Sequence, residues 1–352
     1  MALKDLFKSL AGSPASLPNL FHIPVVNIDK REELDGVFEP NQHYFTVRVN
    51  EMFLSQSRKW FKEIEPMVVC VTSYIYGEQE IDNPFIAGRN LIDTKMQNVP
   101  DGMIFQDTRV AGIHPFVGGR LVVSIALCQS QTKDYLADSL EFIEKISGVF
   151  SESITSLIGN YTKIANVVIG GIDKLLDSKA VQPLFGFRME FDRDANDRFA
   201  PGYFVMIDKS NIKWDPNKFF VKGNRLYYGN DEASSKSFRE DEYVLFSVTK
   251  SDSRSDVQLL PVYQSFKKIV DYLKVNEVSQ AMKDKVKEML RVLNIEMRSS
   301  PDLTDSHAKK LIAVYIEKVG DLIEPKFNFG APPQYKHEQD YWDLMDKKIE
   351  EL

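Results

Sequence analysis

The spacing at which apolar residues recur changes three times along this chain, and each change restricts what the next stretch can pack as. From about 42 to 129 the period is close to two. Residues 43–49 set Tyr44, Thr46 and Arg48 against Phe45, Val47 and Val49. A β-branched and aromatic run covers 67–76 and stops at Gly77. Residues 103–110 and 120–128 read as two further strands, joined through Pro115 and the Gly118-Gly119 pair. In 121–128 both alternating faces are largely apolar, which marks a strand covered on both sides. A sandwich and a covered sheet satisfy this pattern equally.

Between about 133 and 178 the period becomes helical, with Leu136, Leu140, Ile143, Ile146, Phe150, Ile154, Leu157, Tyr161 and Ile164 at three- and four-residue steps. One unbroken rod over 133–176 would be about 66 Å long at 1.5 Å per residue, too long for a compact domain. The stretch therefore reads as a helical pair, broken near Gly148. Gly148, Gly159 and Gly170 stand eleven residues apart, close to three turns, so within continuous helix they share nearly one face. A face lacking side chains admits another backbone, which makes these glycines candidate interaction positions.

The period returns towards two over 184–250, where Gly223-Asn224 between two short runs signals a hairpin. The polar stretch 231–241 reads as an exposed loop. The last hundred residues are helical. Their stripes are Val262, Phe266, Ile269 and Leu273; then Val278, Met282, Val286, Met289 and Leu293; then Leu311, Tyr315, Val319 and Leu322. Ser300-Pro301 reads as a helix start. Beyond Pro325 and Pro332-Pro333 a charged tail carries Tyr335, Tyr341 and Trp342, candidates for docking on a neighbouring surface. At the other end, residues 1–12 form a short amphipathic pattern, and Pro14, Pro18 and Pro24 interrupt regular structure after it. The expected fold is α+β: a β-sandwich-like antiparallel portion interrupted by a helical pair, then a C-terminal helical bundle. The expected divisions are 1–24, 25–255 with the insertion at 133–178, 256–326, and a tail at 327–352.

Chemical signatures are sparse. Neither a phosphate-cradling glycine loop nor a GxSxG nucleophile elbow occurs in the sequence. Of the five histidines, His114 in Gly-Ile-His-Pro-Phe is the best placed for a general base, on a turn beside the covered sheet. A hydrolase centred there is one functional alternative. Asp192, Asp194, Asn196 and Asp197 place oxygen ligands close together, as calcium prefers. The EF-hand pattern fails, since Asp197 occupies the glycine position and Tyr203 the glutamate position. Such a site would borrow a carboxylate such as Asp82 or Asp252 from a second loop. Apart from calcium, no cofactor is expected.

Cys70 and Cys128 lie in strand-like runs without metal-ligand spacing and read as buried thiols, with a cross-strand disulfide as the alternative. A net charge of −7 without a cationic block argues against general nucleic-acid affinity. No secretion signal and no stretch of about 18 continuous apolar residues is found, so the expected location is cytoplasmic. The leading expectation is a non-enzymatic interaction or scaffold subunit that binds a protein partner or itself. A peripheral membrane binder, using residues 1–12 or the 146–172 helices, is the alternative.

Overall fold

The computed structural model describes residues 18–54, 58–59, 62–88, 103–131, 173, 181–192, 200–208 and 213–323. The fold is α+β, mostly antiparallel sheet followed by three C-terminal helices. The strands are β1 (Asn19–Ile23), β2 (Tyr44–Phe53), β3 (Arg58–Lys59), β4 (Lys62–Tyr76), β5 (Gln79–Gly88), β6 (Met103–Pro115) and β7 (Arg120–Gln131). They continue with β8 (Val181–Asp192), β9 (Gly202–Ile207), β10 (Phe219–Lys222), β11 (Arg225–Tyr228), β12 (Lys236–Ser237) and β13 (Tyr243–Ser251). The helices are α1 (Pro261–Val275), α2 (Gln280–Arg298) and α3 (Asp305–Ile323). The helical pair expected at 133–178, the opening 1–12 helix and the tail lie outside the described residues.

The chain divides into two compact units. One holds residues up to 38 together with 45–112 and 118–250; the other holds 39–44, 113–117 and the chain from 251 onward.

In the first unit, one sheet has the order β1-β9-β13-β2-β6, and a small sheet runs β10-β11-β12. The third is β3-β4-β7-β8, with β5 paired to β4. Strand β7 explains why that third sheet is strong. Every residue from Leu121 to Cys128 is buried, on both alternating faces, and β7 bonds to β4 on one side and β8 on the other. Each fully buried Val, Leu or Ile contributes roughly 1.5–3 kcal/mol. Cys70 faces Ile125 across the ladder while Cys128 faces Met67, so the two thiols occupy separate register positions and both are free. Burial pushes each of them up to about 12.

Two strands escape the period-two pattern. Strand β5 carries Pro84, opposite Val71, and tolerates it because, among the described residues, β5 pairs with β4 alone. Strand β1 occupies the five residues between Pro18 and Pro24, also at a sheet edge. The hairpin between β10 and β11 matches its sequence signal: Gly223 and Asn224 both have positive φ, as a primed two-residue turn requires. The 231–241 stretch is not wholly loop, since it contains β12 and the fully buried Phe238.

In the second unit the three helices enclose one apolar cluster built from Val262, Phe266, Ile269, Met282, Val286, Leu293, Tyr315 and Val319. Phe266 and Tyr315 stack with ring centroids 3.9 Å apart. Val278 and Leu322, read as stripe members, are exposed instead. Helix α3 begins at Asp305 rather than after Ser300-Pro301. Thr304 supplies the cap, its Oγ1 accepting from the His307 amide at 3.2 Å, while Ser300 closes a turn by accepting from the Leu303 amide.

Candidate functional site

Polar groups gather in two buried places, one in each unit. In the first unit the inward face of β2 runs Val47, Val49, Glu51, Phe53, so the alternation that builds a core face delivers a carboxylate into it. Glu51 is 0% exposed. Its Oε2 accepts from the Leu226 amide of β11 at 2.7 Å, and its Oε1 lies 3.7 Å from Arg239 Nη2. Arg239 Nη1 donates to the Tyr243 hydroxyl at 3.0 Å, and the guanidinium sits over the Phe53 ring. Burial raises the Glu51 pKa, opposed by the Leu226 amide, Tyr243, Arg239 and Arg225. Burial, reinforced by the Glu51 charge, also drives the Tyr243 hydroxyl well above its ordinary value. A carboxyl so enclosed cannot meet a substrate. Its work is to fasten β2 to the β10-β11 hairpin.

The second unit holds a denser network. The Tyr44 hydroxyl accepts from the Thr304 amide at 3.1 Å and is 2.9 Å from His307 Nδ1. The Tyr44 and His307 rings meet edge-on at 5.6 Å. Arg254 holds Asp256 through two bonds, at 2.6 and 3.0 Å, and donates to the Asp302 carbonyl at 2.7 Å. Its guanidinium carbon stands 6.0 Å from the Tyr44 ring centre. Residues 39–44 and 113–117 join each other here: the Asn41 amide donates to the Phe116 carbonyl and the Phe116 amide to the His43 carbonyl. The Ser306 amide donates to the Asn41 carbonyl, at 3.4 Å.

His114 belongs to strand β6 rather than to a turn, and at 6% exposure it is buried in the second unit. A general base has to reach solvent and substrate, and this position offers neither. His43 instead accepts from the Glu39 amide at Nδ1 and lies 3.6 Å from Asp252 at Nε2.

Of the calcium candidates, Asp194, Asn196 and Asp197 lie outside the described residues; the Asp192 backbone pairs with Arg120 at the end of β8. The second-loop carboxylates are both engaged elsewhere. Asp82 accepts from Ser73 Oγ on the neighbouring strand, and Asp252 lies beside His43. Among the described residues no three metal-ligating side chains converge. Gly148, Gly159, Gly170, Tyr335, Tyr341 and Trp342 also lie outside the described residues.

The surface is more informative than the interior. Nine large apolar residues are exposed among those described, and seven of them belong to the second unit: Leu259, Val275, Val278, Val292, Ile295, Val314 and Leu322. Val292 (51% exposed) and Ile295 (64%) are three residues apart and share the outer face of α2. On α3, Val314, Lys318 and Leu322 follow at four-residue steps and lie within about 80° of one another around the helix. The three helices together carry eleven Lys and Arg against seven Asp and Glu, net +4, in a chain whose total is −7. The sequence reading missed this face because its helical stripes were assigned wholly to the core. The residues left over on the opposite faces held the signal.

The chain matches no protein-family model and no curated protein. Among the described residues no helix is long and apolar enough to cross a membrane.

Proposed function

We propose that this protein is a non-enzymatic interaction subunit, acting in the cytoplasm, that binds a protein partner through the outer faces of α2 and α3. One observation carries the reading: exposed apolar side chains concentrate on the three-helix unit, and α2, which bears Val292 and Ile295, carries five Lys and Arg against three Asp and Glu. A fitting partner is an amphipathic helix whose apolar stripe is flanked by Asp and Glu. The two polar networks support the reading from the other side, because Glu51 and Tyr243 in one, and Tyr44 and His307 in the other, are buried and turn their polar atoms towards groups of the same network.

The test pairs light scattering on the full chain with capture from the native host, comparing wild type with the Val292→Asp, Ile295→Asp double variant. Both positions are exposed, so the variant is expected to keep its helical circular dichroism while losing the captured partner. A wild-type chain that stays strictly monomeric and retains no partner overturns the proposal.

An apolar face with the Lys and Arg residues of α2 beside it also suits an anionic bilayer surface, and that is the second reading. Flotation with phosphatidylserine vesicles separates the two: co-flotation abolished by the double variant moves the assignment to the membrane, and its absence removes that reading.

A further inference from the structure

The Thr304 amide donates to the Tyr44 oxygen, and His307 Nδ1 stands 2.9 Å from that same oxygen, within reach of the hydroxyl proton. When the hydroxyl donates to the imidazole, Nδ1 supplies a lone pair and the neutral ring carries its proton on Nε2. Through Tyr44, and through the Ser306–Asn41 bond, segment 39–44 is fastened to the first turn of α3. We propose that His307 is a proton-operated latch, closed while its ring is neutral, whose protonation releases segment 39–44 from the start of α3.

Protonation works against the latch in two ways. It places an N–H at Nδ1, facing a hydroxyl that already accepts from Thr304, and the hydroxyl's own proton loses its acceptor. It also sets a cation in the first turn of a helix, where the backbone dipole is positive. The charges around the ring lean the same way. Lys310 lies one turn along on α3, and Arg254 approaches from the segment before α1. Asp302 and Asp256 face the Arg254 guanidinium, and Asp305 stands at the start of α3. Tyr44 has its pKa raised by burial and remains a hydroxyl; the same segment carries Glu39 and His43, and the His43 ring points to the Glu39 amide and to Asp252 rather than to His307.

Burial first, then Lys310 and Arg254, hold His307 down to about 4, against 6.5 for the free side chain. The folded group thus binds its proton more weakly than the released one. The latch is fully closed above pH 6.5 and weakens as pH falls from 6.5 through 4. At tenfold per pH unit, its closing constant drops by roughly 100-fold across that window.

Hydrogen exchange on the full chain tests this, read at the Thr304 and Ser306 amides and corrected for intrinsic rates, with peptides from the far end of α3 as the control. Wild type is expected to lose about 100-fold in protection at those amides between pH 7.5 and 4 while the control peptides keep theirs. His307→Gln, whose side-chain oxygen accepts from Tyr44 and does not titrate, is expected to stay flat. Equal loss in His307→Gln, no loss in wild type, or simultaneous loss at the control peptides overturns the proposal. If His307→Gln fails to fold, the imidazole nitrogen shifts of the wild type decide. Protonation between about pH 4 and 5, coincident with the loss of protection, supports the latch; protonation near 6.5 refutes it.

Discussion

Glu51 allows the energetics of the first unit to be tested with two substitutions that differ in one property. In Glu51→Ala the Leu226 amide loses its buried acceptor, a penalty of roughly 1–3 kcal/mol. Arg239 is 28% exposed and can turn to water, so losing its partner adds less than ~1 kcal/mol. The void left by the side chain adds to the cost, and release from holding a carboxylate in a dry core offsets part of it. The net expectation is a loss of about 2–4 kcal/mol.

Glu51→Gln keeps the shape and an oxygen for Leu226 but removes the charge. Because the folded-state pKa of Glu51 is raised, the contribution of this group is greatest below pH 4.5 and is lost as pH rises through the folded value. The glutamine variant is therefore expected to gain on wild type as pH rises, matching or exceeding it by up to ~1 kcal/mol at pH 8. Urea unfolding followed by Trp214 fluorescence reads this unit, since Trp214 packs on Phe219, Tyr228 and Phe238 in the same unit. Trp60→Phe and Trp342→Phe silence the other two tryptophans. A glutamine variant weaker than wild type by more than ~2 kcal/mol, equally at pH 5 and pH 8, refutes the reasoning, because the carboxylate would then be ionised and favourably paired.

Two further outcomes follow from the geometry. Gly112 has φ +100, and a Cβ there would lie 2.5 Å from the Phe45 carbonyl oxygen, whereas Gly223 has φ +55 and open space around it. Thermal unfolding should show Gly112→Ala destabilised by about 3 kcal/mol or more and Gly223→Ala by about 1 kcal/mol; equal effects would refute the close approach. With both thiols pushed up to about 12, an aromatic disulfide reagent at pH 8 should leave Cys70 and Cys128 unmodified until denaturant is added. Fast labelling of the native protein would contradict their burial.

Sequence periodicity reported the architecture where one residue's neighbours decide its state. The two-sided burial of β7 and the Gly223-Asn224 turn are visible as local patterns, and so are the inner stripes of α1–α3. Strands β1 and β5 were not, because edge positions relax the propensity rules that proline otherwise enforces. Long-range pairing is also silent in a period: nothing in Tyr44 or His307 announces that a hydroxyl and an imidazole 263 positions apart will share a proton. Glu51 left a trace, a carboxylate on the apolar side of an alternating strand, but the trace does not reveal Arg239 as its counterpart. The exposed face of α2 and α3 was legible in principle, since a helix too apolar for one stripe must present the excess elsewhere.

The β7–β8 ladder bears on the order in which the third sheet assembles. Strands β4 and β5 meet across a two-residue turn, Tyr76 opposite Gln79, whereas β7 and β8 pair Ser130 with Val181 across some fifty intervening positions. The β4–β5 hairpin, whose pairing is local in sequence, can thus nucleate before the β7–β8 ladder, whose pairing is not.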